Sequence, residues 1–253
     1  LERRKQIILT VSHDIRGPLG NINNCAELAS DTREKKKREA YLENIRHSCR
    51  HILHLVNNLM DVYKINEARD TRNEVPFQLG NLLRNISEEY ARKACDKALL
   101  FEQGHEVTDV MVKGDADKLE QVLDNLLTNA IKFTPAGTVR FHTRYAGGKL
   151  HVEIGDTGIG MDKETLKRVF RPFERAAQEV NSEGFGLGLF ITKGLVKVLD
   201  GTLDVESRPG KGSTFRLVFP LPETEEETET DELPSQFPAI LPKRVLVLDD
   251  DRI

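Results

Sequence analysis

Residues 121–134 read Q-V-L-D-N-L-L-T-N-A-I-K-F-T, inside a helix expected over about residues 115–133. Asn125, Asn129 and Lys132 fall at i, i+4 and i+7, so all three lie on one helical face. Amide oxygens suit a hard cation such as Mg²⁺, and a lysine suits the phosphates that such a cation accompanies. A plain polar helix face has the same pattern, so the neighbouring segments must decide.

Downstream, the strand-like H-V-E-I runs into Asp156-Thr-Gly158-Ile-Gly160. A buried carboxylate at a strand end can accept a hydrogen bond from an exocyclic amine such as that of adenine, and the glycines let backbone approach a ligand closely. Gly184-Phe-Gly186-Leu-Gly188 opens a further helix, where free backbone N–H groups can cradle phosphate. It is neither the dinucleotide fingerprint nor a Walker loop, since no first-strand G-x-G-x-x-G and no G-K-[ST] is present. Arg168-Val-Phe170-Arg171-Pro-Phe173-Glu174 precedes a polar stretch that reads as a lid anchored by its phenylalanines, although core packing would explain both rings equally well. Around these motifs, a short V-P-F-Q-L strand, helices near 79–97, 162–170 and 187–199, and four alternating segments near 138–145, 149–155, 201–207 and 213–219 predict an α+β sandwich. Its helices would cover one face of a largely antiparallel sheet.

Upstream the pattern changes to two long helices, about 1–30 and 36–68. In the second, Leu42, Ile45, Cys49, Ile52, Val56, Leu59 and Tyr63 alternate spacings of three and four. That is a heptad seam, and two narrow-seamed helices make a core only when two copies pair, which predicts a homodimeric four-helix bundle. The first helix contains S-H-D-I-R-G-P-L at 12–19, and Pro18 should kink it. Its apolar period turns His13 outward with Asp14 beside it. The pair is a candidate nucleophile and orienting carboxylate, or simply a solvated surface pair. His47, His51 and His54 share helical spacing, but without a carboxylate or thiol at ligand spacing they make a poor metal site.

The chain has 253 residues, 38% hydrophobic and 31% charged, with a net charge of −4 that argues against nucleic acid as its main partner. Cys25, Cys49 and Cys95 form no metal-ligand spacing and read as reduced core or near-core thiols in an intracellular compartment. No apolar run is long enough to span a membrane, so no membrane contact is expected within this stretch. Residues 223–242 begin with an acidic run and read as a solvated linker. After it comes the apolar strand V-L-V-L followed by acids. Both ends read as cuts in a longer chain.

In order and spacing, these motifs together resemble a bacterial-type sensor histidine kinase over about residues 1–220. S-H-D-I-R-G-P-L is similar to the phosphoacceptor box, and the Asn-rich, D-T-G-I-G, Phe-containing and G-F-G-L-G segments match the remaining boxes. The resemblance implies a dimerisation and phosphotransfer hairpin (1–68) and an ATP-binding domain (69–222) of the gyrase, chaperone and histidine-kinase type. It implies ATP with Mg²⁺ as cofactors. Asp156 and Thr214 would hold adenine, Gly158, Gly160, Gly184, Gly186 and Gly188 would shape the pocket, and Asn129 would ligate the metal beside Asn125, with Lys132 on phosphate. His13 would attack the γ-phosphate while Asp14 orients it and takes its proton. Residues 243–253 look like the first strand of a receiver domain, with Asp249 and Asp250 as its acids, so a response-regulator receiver in the same full-length chain is the expected partner. A cytoplasmic location follows, with membrane anchoring of the whole protein left open. Hydrolytic relatives of the fold tend to carry a glutamate where Asn125 stands, so the amide favours transfer over hydrolysis. Gly17 replaces the Thr or Asn of many such kinases and implies weak phosphatase activity. The rival readings are an ATPase clamp of the same fold without histidine phosphorylation and a catalytically silent dimerisation scaffold.

Overall fold

The structure, a computed structural model, describes residues 2–67, 71–107, 109–174 and 186–225, with the side chains of 2–10, 12–14 and 66 excepted. The acidic run beyond Glu225 and the receiver-like strand with Asp249 and Asp250 lie outside the described residues.

Two helices, α1 (Glu2–Asp31) and α2 (Lys35–Asn66), form a hairpin. The helix α1 runs unbroken through Pro18. Midway along the hairpin the Asn21 amide donates to the Ser48 hydroxyl at 2.9 Å. The heptad seam expected on α2 divides in two. Ile45, Ile52 and Leu59 are half-buried, whereas Cys49, Val56 and Tyr63 are exposed and form one stripe with Leu53 and Met60. A third face, with Leu55 and Val62 fully buried, turns toward the rest of the molecule. The apolar arc of α2 is therefore far wider than an a/d seam, since the helix has three sets of neighbours to satisfy rather than one. Of the thiols only Cys25 is buried, and Cys49 and Cys95 are exposed, against the expectation of three near-core cysteines.

The second part builds in the order β1 (Val75–Gln78), α3 (Leu79–Asp96), β2 (Leu100–Glu106), β3 (Met111–Gly114), α4 (Ala116–Phe133), β4 (Thr138–Ala146), β5 (Lys149–Asp156), α5 (Lys163–Arg168), α6 (Gly188–Val198), β6 (Thr202–Arg208) and β7 (Gly212–Pro220). Five strands make the main sheet in the order β2-β4-β5-β7-β6, and β1 pairs with β3 in a separate small sheet. All main-sheet pairings are antiparallel except β2 with β4, which are parallel and need a crossover that α4 supplies. Sequence patterning missed β2 and β3. The first is an edge strand, L-F-E-Q-G-H-E, that buries almost nothing, and the second is only four residues long.

The helix α4 starts where Asp115 caps it, accepting from the Lys118 backbone N–H at 3.0 Å and from the Asn73 N–H at 2.8 Å. Burial alone would raise the Asp115 pKa, but these two bonds and the Lys118 ammonium hold it below the ordinary range. From that start Leu119, Val122, Leu123, Leu126 and Leu127 face the sheet and are fully buried against Phe141, Leu150, Ile154, Leu217 and Phe219. The opposite side of α4 is thereby free for chemistry. The helix α2 docks onto this layer: the Gln121 amide donates to Asp61 at 2.7 Å, and Ile65 packs over Gly194 of α6.

Candidate active site

One face of α4, the start of α6 and the docked face of α2 enclose a cleft of about 460 Å³. Asn125, Asn129, Lys132 and Phe133 line it from α4, Gly186 and Gly188 from the α6 side, and His51, His54 and Asn58 from α2. The face predicted from the i, i+4, i+7 spacing is thus assembled, and the Lys132 ammonium lies 4.6 Å from the centre of the Phe133 ring. Gly188 sits so close to this face that a Cβ there would meet Asn125 Oδ1 at 3.5 Å and Asn129 Nδ2 at 4.0 Å. Backbone at the α6 start can therefore approach whatever the two asparagines hold.

Asp156 ends β5 with 7% of its surface exposed. Its Oδ1 accepts the Gly158 N–H at 2.8 Å, and the backbone N–H and hydroxyl of Ser213 donate to the carboxyl as well. Burial raises the Asp156 pKa, and these donors, with the Arg140 charge, oppose the shift. Gly158 has no room for a side chain, because a Cβ would lie 2.2 Å from the Phe133 carbonyl oxygen. Gly160 and Gly212 have φ of +62° and +82°, and at Gly212 a Cβ would lie 1.9 Å from the Asp156 carbonyl oxygen. Ile159 N–H donates to Phe133 O at 3.1 Å, which ties the Asp156 turn to the end of α4 and so to the cleft.

Thr214 lies one residue away from the position opposite Asp156. Gly155 pairs with Thr214, so the residue opposite Asp156 is Ser213. Strand alternation puts Ser213 on the helix-facing side with the buried Phe215, and Thr214 on the open side with the exposed Arg216. The hydroxyl at the carboxylate is therefore that of Ser213, itself braced by Ser207 at 3.0 Å. Gly212 and Ser213 both escaped the sequence reading. In the sequence Ser213 and Thr214 are simply neighbours, and the cross-strand register that sets Ser213 opposite Asp156 is not visible there.

Phe170 and Phe173 are both half-buried against the core, and the Phe173 N–H donates to the Gly186 carbonyl at 2.9 Å. The lid reading of the polar stretch and the assignment of Gly184 fall on residues outside those described. His13 and Asp14 lie on α1, with their side chains likewise outside the description. A Cβ at Gly17 would meet nothing within 4 Å, so packing does not require a glycine there. Among the described residues no group of three His, Cys, Asp or Glu side chains gathers to hold a metal ion, and no helix is long and apolar enough to cross a membrane. Facing the cleft are the amides of Asn58, Asn125 and Asn129, the carboxylates of Asp124 and Glu174, and the cations of Lys93 and Lys132. That set fits Mg²⁺ arriving on phosphate oxygens rather than a resident all-protein cage.

Residues 3–68 match the His Kinase A (phospho-acceptor) domain, and residues 114–223 match the histidine kinase-, DNA gyrase B- and HSP90-like ATPase family. The chain is 34% identical over 235 residues to the autoinducer 2 sensor kinase/phosphatase LuxQ of Vibrio parahaemolyticus, covering 88% of this chain and 27% of that protein. It is 31% identical over 250 residues to the aerobic respiration control sensor protein ArcB of Escherichia coli, covering 96% of this chain and 32% of that protein. It thus spans about a third or less of these relatives' length. Among solved structures, full-length ShkA in complex with AMPPNP superposes with a TM-score of 0.65 at 27% identity, over 87% of this chain and 46% of that one. The Acinetobacter baumannii histidine kinase AdeS, at 20% identity and a TM-score of 0.62 over 82% of this chain and 97% of that one, shares the fold. With the phosphoacceptor helices and the ATPase sheet both matched, the chain belongs to the sensor histidine kinases.

Proposed function

We propose that this chain binds ATP between α4 and α6 and transfers its γ-phosphoryl group to His13. The observation that carries the reading is the union of two distant pieces. A buried carboxylate with no space for side chains around it, Asp156 with Gly158 and Gly212, adjoins a cleft faced by Asn125, Asn129 and Lys132. The first suits the exocyclic amine of adenine and the second suits a metal-bound polyphosphate. Asn129 would hold Mg²⁺, which supplies charge neutralisation at the phosphates. Lys132 pairs with phosphate oxygens, and Gly186 and Gly188 present backbone to them.

In the transfer one imidazole nitrogen of His13 forms a bond to the γ-phosphorus as the bond from phosphorus to the β–γ bridging oxygen breaks, releasing ADP. Asp14 accepts a hydrogen bond from the N–H of the other ring nitrogen and takes that proton as positive charge develops on the ring, leaving neutral phosphohistidine. Asn125, an amide and hence a poor base, does not activate water, which favours transfer over ATP hydrolysis. Phosphohistidine is a transferable group, and the recipient proposed is the aspartate of a response-regulator receiver domain, in the same full-length chain or a separate one. The working unit is a homodimer paired through residues 1–68, followed by an ATP-binding domain over 69–222 and an acidic linker toward the receiver. ATP as the donor sets this portion on the cytoplasmic side.

Incubation with γ-labelled ATP should give acid-labile, base-stable label on the chain that vanishes in His13→Gln. Label that survives this substitution would sink the mechanism, and ATP turnover untouched by it would favour the plain ATPase clamp.

A further inference from the structure

The cleft that takes the nucleotide has a wall from outside the ATP-binding layer. His51, His54 and Asn58, three positions on one face of α2, line it opposite Asn125, Asn129 and Lys132. They are held there by contacts on the same face of α2. Leu55 is fully buried between them, Asp61 accepts from Gln121, and Ile65 covers Gly194, where a Cβ would lie 2.7 Å from Ile65 carbons. The hairpin register adds a second observation. Asn21 bonds Ser48 across the antiparallel pair. Eight residues before Asn21 on α1 is His13, and it stands level with the residue eight after Ser48 on α2, Val56, because both helices rise equally per residue. Val56 falls between His54 and Asn58. The stretch of α2 that lines the cleft, from His51 to Asn58, therefore spans the axial level of the phosphoacceptor.

We propose that His51 and His54 are nucleotide-positioning residues that meet the polyphosphate of bound ATP, so that α2 completes the nucleotide site and fixes the γ-phosphate at the level of His13. The proposal rests on the ATP-binding reading above and extends it to residues outside the ATP-binding domain. Two imidazoles can donate hydrogen bonds to phosphate oxygens in either charge state, and with Lys93 and Lys132 they give the cleft a donor-rich, cation-capable lining. The electrostatic setting of His54 makes the contact observable. Burial, and then the neighbouring His51, hold its pKa below the ordinary value, against a smaller opposite pull from Asp61. From the elements packed on the cleft, α3 brings Tyr90 and Lys93, α4 brings Asp124 and Lys132, and Glu174 follows α5. A polyphosphate placed among these groups puts several negative charges beside His54 and must raise its pKa.

The test is a titration of the whole chain, with isotope-labelled histidines followed by NMR, with and without a non-hydrolysable ATP analogue plus Mg²⁺. The expected result is an upward shift of the His54 titration by roughly half a unit or more. In parallel, His51→Gln with His54→Gln together should weaken triphosphate binding about five-fold while changing adenosine binding less than about two-fold. A merely structural role for the two residues would not move the His54 titration on binding. Failure of the wild-type chain to bind the analogue would overturn the ATP-binding reading and this proposal with it. Binding by the wild type with an unshifted His54 titration, and equal affinity in the double variant, would overturn this proposal alone.

Discussion

Asp156 shows how a single carboxyl group can be pulled both ways. Burial raises its pKa, while Gly158, Ser213 and Arg140 stabilise the anion, the form that would accept from adenine in the proposed site. Because the net shift is upward, protonation sets in at a higher pH than for an ordinary aspartate. Affinity for adenine nucleotides should therefore fall as pH drops through that raised value, at a higher pH than an ordinary aspartate would set. Stability should move the other way: the folded state holds this proton more tightly than the unfolded chain, so its contribution is present at low pH and is lost as pH rises through the folded pKa. Asp156→Asn should abolish the pH step and weaken binding at least ten-fold, as read by calorimetry with an ATP analogue, and a step that persists in the variant would assign it to another group. At this scale the helix-borne residues were legible in the sequence, since Asn125, Asn129 and Lys132 share a face by local periodicity alone. Ser213 was not, because its place opposite Asp156 depends on the pairing of β5 with β7, strands 57 residues apart at that point.

Among the elements, α2 carries the most divided duty. One face packs on α1, a second is left exposed as the Cys49–Leu53–Val56–Met60–Tyr63 stripe, and a third docks on α4 and α6. A heptad reading finds the first two and merges them. The third is hidden because its partners, Gln121 and Gly194, lie 60 and 129 residues away from the side chains they meet. The docking depends on Gly194, where helix backbone and Ile65 are in direct contact. Leucine at this position has no room unless α2 moves, although α6 itself would tolerate it, leucine being the better helix former by about 1 kcal/mol. Gly194→Leu is therefore predicted to release α2 from the ATP-binding layer without unfolding that layer. Hydrogen exchange should rise across residues 54–65 while α4 stays protected. Unchanged exchange in α2 would mean that the leucine is accommodated within the docked arrangement. The strand β2 makes the complementary point. Its position follows from pairing with β4 and not from any alternation of its own, so only the assembled sheet reveals it.

For the molecule as a whole, the stripe on α2 is apolar surface that a single chain leaves uncovered among the described residues. Leu53, Met60 and Val56 are 62%, 51% and 43% exposed, and Tyr63 and Cys49 continue the stripe at heptad spacing. With about 25 cal/mol per Å² of apolar surface buried, covering such a stripe on two copies at once stabilises a pair by several kcal/mol, and a second hairpin presents the matching stripe. The acidic and basic side chains that flank it on α2, Glu43 with Arg46 and Arg50, already pair within one helix and leave the stripe itself uncharged. Sedimentation of the chain at micromolar concentration is therefore expected to give twice the 28.6 kDa of the monomer. Val56→Glu with Met60→Glu would place four carboxylates in the buried seam of the pair, which like-charge repulsion and desolvation forbid. This double variant should sediment as a monomer, yet keep its affinity for an ATP analogue within about two-fold, because neither position lines the cleft or touches the docked face. If the variant stays dimeric, the copies pair through some surface other than this stripe. If it is monomeric and also loses nucleotide binding, the pair is what keeps α2 docked against the ATP-binding layer, and the cleft depends on it.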